Sequence, residues 1–238
     1  MSDVNAEAPT VESVEDRADQ GFTLIELVIT VAIVGTIMVA LTGVVLEYLK
    51  TETATAARYT ESNSVQLAAA YWQRDVSSTG LRSATFDATD KTFKLQKSVD
   101  YPYTGSLTGA GCTIPGTGVI ALVWGQYESG SSNDIVVRNT PTPIAVTYSV
   151  QDRGSGADRR YDLVRTRCTK SSGGWVVDSS QVITRNLTTA SRPVVACSTT
   201  CDAASPPSTI SMTIESSDPD NNDGSIYKVT LTGERRQT

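Results

Sequence analysis

The sequence predicts an α+β chain. One long N-terminal helix, a transmembrane half followed by an amphipathic half, is expected to pack on a C-terminal antiparallel β-sheet domain. Three observations predict it. Residues 27–46, LVITVAIVGTIMVALTGVVL, hold no charge. Residues 47–76 hold neither proline nor glycine, so nothing there breaks a helix that has begun. From Gly80 onward the chain turns rich in Ser, Thr and Gly, with short alternating apolar runs of the kind that form half-buried strands.

The elements follow in order. Residues 1–21 carry Asp3, Glu7, Glu12, Glu15, Asp16 and Asp19 against Arg17 alone, which accounts for nearly all of the chain's net charge of −6. The rest is close to neutral. It gives no electrostatic case for nucleic acid or for an anionic membrane surface.

The uncharged run has membrane length, since about 20 apolar residues cross the ~30 Å hydrocarbon core as a helix. A helix also satisfies its own backbone hydrogen bonds in lipid. The membrane segment is placed at residues 24–46. Two rivals compete with it. A buried helix of a soluble protein rarely runs so long without polar residues. A cleaved secretory signal wants a basic start, a short apolar core and an Ala-x-Ala site. Ala54-Thr55-Ala56 has that pattern but follows Glu47, Lys50 and Glu52, well past the core. Glu26 is the single charge at the head of the apolar run. An ionisable group in a bilayer is costly and marks function, and its partner should be sought.

A helix from about residue 24 to 76 would be roughly 80 Å long at 1.5 Å per residue. Ser77-Ser78-Thr79-Gly80 is its expected stop. The stretch TETATAARYTESNS is polar nearly all round and bridges two environments. Beyond it Val65, Ala68, Ala69, Trp72 and Val76 share one face and should bury it on the following domain.

Gly21-Phe22-Thr23-Leu24-Ile25-Glu26-Leu27 followed by a spanning helix resembles the N-terminal signal of type IV pilins and pseudopilins. The resemblance implies that a membrane aspartyl peptidase, the prepilin peptidase, cuts between Gly21 and Phe22 and N-methylates Phe22. Glu26 then becomes the fifth residue of the mature chain, where the family keeps a glutamate that pairs with the N-terminal amine of a neighbouring subunit. Physical chemistry is consistent with each step. Glycine lets a protease approach an extended backbone. A carboxylate one turn into a helix sits at the positive end of its dipole. A charge pair in a dry interior is strongly favoured over either charge alone. The plainer alternative is that Glu26 snorkels to the headgroups. This chain departs from the family in its long acidic leader, where basic leaders are common. It also lacks a proline in the helix, because none occurs between Pro9 and Pro102. Gly35 and Gly43 are the points where the helix could loosen, or where two helices could approach closely.

In the C-terminal part the strand candidates are Val119–Trp124, Ile135–Arg138, Ile144–Val150, Tyr161–Cys168, Trp175–Val177, Gln181–Thr184, Ile210–Ile214 and Tyr227–Leu231. In the last two, Ile210, Met212 and Ile214 share a face, as do Tyr227, Val229 and Leu231. The turn cluster 218–224 between them predicts a hairpin. The run of strands resembles, loosely, the larger minor pilins and pseudopilins. Cys112, Cys168, Cys197 and Cys201 suggest two disulfides and an oxidising compartment, with free thiols as the alternative. Four cysteines allow three pairings. If the approach to Val119–Trp124 lies beside the end of Tyr161–Cys168, the bridges are Cys112–Cys168 and Cys197–Cys201.

Other chemistry finds little support. The chain has no histidine, which removes the Ser-His-Asp and Cys-His arrangements and the commonest metal ligand. Cys197 and Cys201 lack zinc-knuckle spacing. Gly105–Gly118 has no P-loop lysine. Asp218, Asp220, Asn222, Asp223 and Gly224 invite a calcium reading but miss the EF-hand order, so a polar turn is the default. Asn186-Leu187-Thr188 fits a glycosylation acceptor by chance spacing. Arg159, Arg160, Arg165 and Arg167 lie on or near one strand, where a DNA-binding patch competes with a plain solvated face. Asp162 is expected to offset part of that charge.

The expectation is therefore a non-enzymatic structural protein without cofactor or metal. It would be a minor subunit of a type IV pilus or related pseudopilus. The predicted divisions are a cleaved leader (1–21), a long helix (22–76) and a globular β-rich domain (77–238). The expected partners are other pilin subunits, the prepilin peptidase, an inner-membrane assembly platform and, before assembly, the lipid bilayer. The expected location is the bacterial cytoplasmic membrane as a single-pass precursor, then a cell-surface or periplasmic filament. The alternative is a single-span anchored or secreted binding protein that never polymerises.

Overall fold

The computed structural model describes residues 23–109, 111–127, 141–156, 159–188, 193–217 and 226–236. The chain divides into two compact units, Met1–Lys50 and Thr51–Thr238. Helix α1, Leu24–Ser78, contributes to both.

In the first unit the apolar side chains of α1 face outward, from Leu24 at 80% exposed to Val39 at 76%. The helix is long and apolar enough to cross a membrane. Its threonines impose no polar demand on lipid. The hydroxyls of Thr30, Thr36 and Thr42 donate to carbonyls three or four residues back, at 2.7–2.9 Å.

The second unit begins with the amphipathic part of α1. Val65, Ala68, Trp72 and Val76 are buried and Ala69 is partly so, as the 3–4-residue spacing predicts. The helix stops at Ser78, where side chains take over its orphan carbonyls. Ser77 and Ser78 Oγ donate to the Arg74 carbonyl, and Thr79 Oγ1 donates to that of Asp75. Gly80 follows with φ of 142°, a backbone that side chains disfavour.

Ten strands follow. Short β1 (Leu81–Arg82) and β2 (Leu95–Gln96) pair with each other. The main sheet holds β3 (Val99–Asp100), β4 (Thr117–Gln126), β5 (Thr142–Arg153), β6 (Arg160–Ser171) and β7 (Gly174–Leu187). It also holds β8 (Val194–Cys197), β9 (Thr209–Ser216) and β10 (Tyr227–Glu234). The sheet is antiparallel in the order β10-β9-β7-β6-β5-β4-β3, with β8 on β9 beside the end of β7. Strands β9 and β10 pair from Tyr227↔Ser216 to Glu234↔Thr209, the predicted hairpin. Ile210, Met212 and Ile214 are all buried.

The strand readings need amendment at two points. Trp175–Val177 and Gln181–Thr184 are parts of one strand, β7. The polar run Asp178-Ser179-Ser180 between them is exposed, yet Ser179 and Ser180 pair with Arg167 and Thr166. Strands β1, β2 and β3 have two residues each, too short to show a period. Ile135–Arg138 and the turn 218–224 lie outside the described residues.

The core forms where the α1 stripe meets one sheet face, around Trp72, Tyr148, Ile120, Leu163, Ile183 and Met212. Trp72 packs edge-on against Tyr148, with ring centroids 5.2 Å apart. Its Nε1–H donates to the Ile210 carbonyl at 3.2 Å. Disulfides join Cys112 to Cys168 and Cys197 to Cys201. The first ties the segment ahead of β4 to β6, and the second closes the turn after β8.

Candidate assembly site and its supporting domain

The site suggested by the sequence is the start of α1. Thr23 caps it: the Glu26 N–H donates to the Thr23 carbonyl at 3.1 Å and to Thr23 Oγ1 at 3.4 Å, and the Leu27 N–H donates to the Thr23 carbonyl at 3.2 Å. Thr23-x-x-Glu26 has the spacing of a capping box, and these bonds form its hydroxyl half. Thr23 was not singled out by the sequence reading, although Thr-x-x-Glu before an apolar run is a recognisable signal. Cap and carboxylate therefore belong to one local unit. The cap satisfies an orphan N–H, and the freed amides of the first turn stabilise a negative charge by about 0.3–1 kcal/mol. A carboxylate at the bilayer centre costs about 2.5–3.5 kcal/mol on insertion scales, and less near the end of a span, where Glu26 sits. The helix start offsets part of the cost that remains. Glu26 is exposed, among equally exposed Leu24, Ile25 and Leu27. Gly21 and Phe22, the expected scissile and methylated residues, lie outside the described residues.

The basic strand is not what its spacing suggested. Arg165 does not face solvent; it is buried under α1. Its Nε and Nη2 donate to the two carboxylate oxygens of Asp75, each at 2.7 Å. The Tyr148 hydroxyl donates to the same carboxylate at 2.7 Å. The Tyr71 ring covers the guanidinium, 4.8 Å from its carbon. Burial, then the adjacent Asp75 charge, push the Tyr148 phenol well above its ordinary range.

Arg165 and Arg167 do share a face, but it is the face the helix covers. Arg167 is half-buried and pairs with Asp178 at 3.3 Å. Arg159 pairs with Asp152 at 3.2 Å. Asp162 pairs with Arg153 at 3.2 Å and so leaves Arg165 to Asp75. The four arginines form no common patch, and the DNA reading built on them is withdrawn. The sequence reading also missed Asp75, a lone acid three residues from Trp72 on the buried stripe.

Two smaller readings can be placed. Asn186, of the glycosylation-like triplet, has a left-handed backbone (φ 56°) and accepts from Arg153 Nη2 at 3.5 Å, with Leu187 buried beside it. The expectation that the sequence holds no Ser-x-x-Lys pair is wrong, because Ser225-Ile226-Tyr227-Lys228 has that spacing. Lys228 Nζ lies 2.7 Å from Glu215 in an exposed pair, and Ser225 is outside the described residues. Among the described residues no group of three or more acidic, cysteine or histidine side chains is placed to hold a metal.

Comparison with known proteins bears on the N-terminus. Residues 16–42 match the family model described as the prokaryotic N-terminal methylation motif. No curated protein matches the chain. No solved structure matches it either. The match spans Glu26 and most of the outward-facing apolar helix, so the chain carries the N-terminal signal of type IV pilins and pseudopilins.

Proposed function

We propose that this chain is the precursor of a minor subunit of a type IV pilus or a related pseudopilus. Residues 1–21 form the leader, 22–76 the long helix and 77–238 the globular domain. Prepilin peptidase cuts the Gly21–Phe22 bond and methylates the Phe22 amine. The subunit waits in the cytoplasmic membrane through α1 and then enters a cell-surface or periplasmic filament through an inner-membrane assembly platform. Glu26 docks on the amine of a neighbouring subunit. The role is structural, without catalysis of its own.

The observation that carries this reading is the methylation motif at residues 16–42 running into a helix whose apolar side chains have no cover of their own. Such a surface has to be covered by lipid or by other helices. Mass spectrometry of the native N-terminus tests the proposal. Methyl-Phe22 is expected. A start at Ala57 would mean a secreted domain, and an intact leader would mean a plain anchor; either result overturns the reading.

A further inference from the structure

Five arginines converge on one cavity of the second unit. Arg74, Arg82, Arg167, Arg235 and Arg236 line a cleft of about 550 Å3. It lies where the last turn of α1 and the end of β4 meet β1, β6 and the segment after β10. Among the described residues no carboxylate lines it. The domain is close to neutral, so this is a local concentration of charge, in which Arg167 is already paired with Asp178 at 3.3 Å. Its walls are held by backbone bonds: Gly80 N–H to the Val123 carbonyl at 3.0 Å, Arg235 N–H to Ser208 at 2.8 Å, and Arg236 N–H to Ser77 at 3.2 Å. Two of the arginines are oriented. Arg82 Nη1 donates to the Phe93 carbonyl, and Arg167 Nη2 donates to Gln126 Oε1, both at 3.0 Å.

The remaining lining narrows the class of ligand. Trp124 and the exposed Tyr127 present rings, while Ser77, Ser78 and Gln126 present neutral donors and acceptors. A second cavity shares Arg74, Ser77 and Arg236 with the first and adds Gln73, Thr232 and Glu234, lengthening the site toward a carboxylate, where a sugar hydroxyl and not a sugar acid would fit. Arginine forks match carboxylates, aromatic rings cover the C–H faces of sugars, and hydroxyl and amide groups match sugar hydroxyls. A groove for single-stranded nucleic acid would set its charges along a track. Here they point into one cavity of a size typical for small ligands.

We propose that this cleft binds an acidic oligosaccharide, a chain of sugar rings bearing carboxylates. The proposal does not depend on filament assembly, because a plain anchored protein would carry the same cleft.

The test is calorimetric titration of the full chain in detergent micelles with trigalacturonate. Saturable binding that weakens with salt is expected. Charged hydrogen bonds of this kind lead us to expect at least about a tenfold loss in Arg74→Ala and in Arg236→Ala. Both residues are exposed, and near-UV circular dichroism checks that each variant is folded. Arg159→Ala removes the same charge at the other end of β6 and should bind as the parent does. Absence of saturable binding overturns the proposal, as does equal binding of neutral maltotriose. Tighter binding of a single-stranded oligonucleotide, or a match by inorganic phosphate, overturns it too, the former in favour of nucleic acid and the latter in favour of a simple anion sink.

Discussion

Replacing Asp75 by asparagine keeps the shape of the side chain and removes its charge. In the folded protein Asp75 is fully buried and accepts three hydrogen bonds, two from Arg165 and one from Tyr148. Asparagine leaves the Arg165 guanidinium buried without a counter-charge. Breaking a buried pair in this way costs about 3–5 kcal/mol. For a unit of ~150–250 residues each kcal/mol moves the melting temperature by roughly 2–4 °C, so the loss should be on the order of 10 °C. Urea unfolding of the full chain in micelles, followed by near-UV circular dichroism, reads the change through aromatic side chains that include the packed Trp72–Tyr148 pair.

In a Tyr148→Phe background, which removes the hydroxyl that would otherwise lose its acceptor, the double variant Asp75→Leu with Arg165→Met is expected to recover most of that loss. A buried ion pair gains little over well-packed apolar residues of similar size, although removing one partner alone is expensive. The coupling in a double-mutant cycle should therefore be large and favourable, about 2 kcal/mol or more. A cost below about 1 kcal/mol for Asp75→Asn would refute the reasoning. It would mean that water reaches the guanidinium and that the pair behaves as a surface pair.

Two further predictions follow from the same domain. Tyr148 keeps its proton when folded at pH values where the unfolded side chain, near its ordinary value of 10.0, has lost it. Stability should be intact below that pH and fall as pH rises above it, because unfolding then releases a proton. Tyr148→Phe should make the fall between about pH 10 and 11 shallower in urea titrations; an identical slope would contradict the assignment. Cys112–Cys168 closes 56 residues and Cys197–Cys201 closes 4. Loop entropy makes the first worth about 4 kcal/mol and the second about 2. Paired Cys→Ala variants compared by denaturant midpoint should show that order.

The parts of the fold that were legible in the sequence are those in which one residue's environment repeats along the chain. The stripe from Val65 to Val76 was readable from its spacing, and the β9–β10 hairpin from strict alternation about a turn cluster. The N-terminal signal was readable because its residues are contiguous. Strand β7 was not, because its middle is exposed on a strand held by backbone bonds to β6, and periodicity detects only side chains. The pairing of Asp75 with Arg165 was illegible for a different reason. The two residues are 90 apart in sequence, and each taken alone resembles a surface charge. Arg165 was therefore placed in a solvated strand face that does not exist. The five-arginine cleft is assembled from five separate segments, and no window of sequence contains it.

Asp75 and Glu26 put the same question to one helix and receive different answers. Each is a lone carboxylate among apolar neighbours. Asp75 meets an arginine and a tyrosine of its own domain, so its charge is settled within the subunit. Glu26 has no partner among the described residues and only the helix start to stabilise it, which covers a fraction of its cost in lipid. A group that costs energy in the monomer and has its counterpart elsewhere favours association. Glu26→Val should therefore leave the precursor at least as stable in the membrane and still cut, with the loss confined to assembly. Pulse-labelled cells would show a normal amount of mature, methylated protein, while sheared filaments would lack it. Incorporation of the variant at the parental level would remove the docking role and leave the headgroups as the destination of the carboxylate.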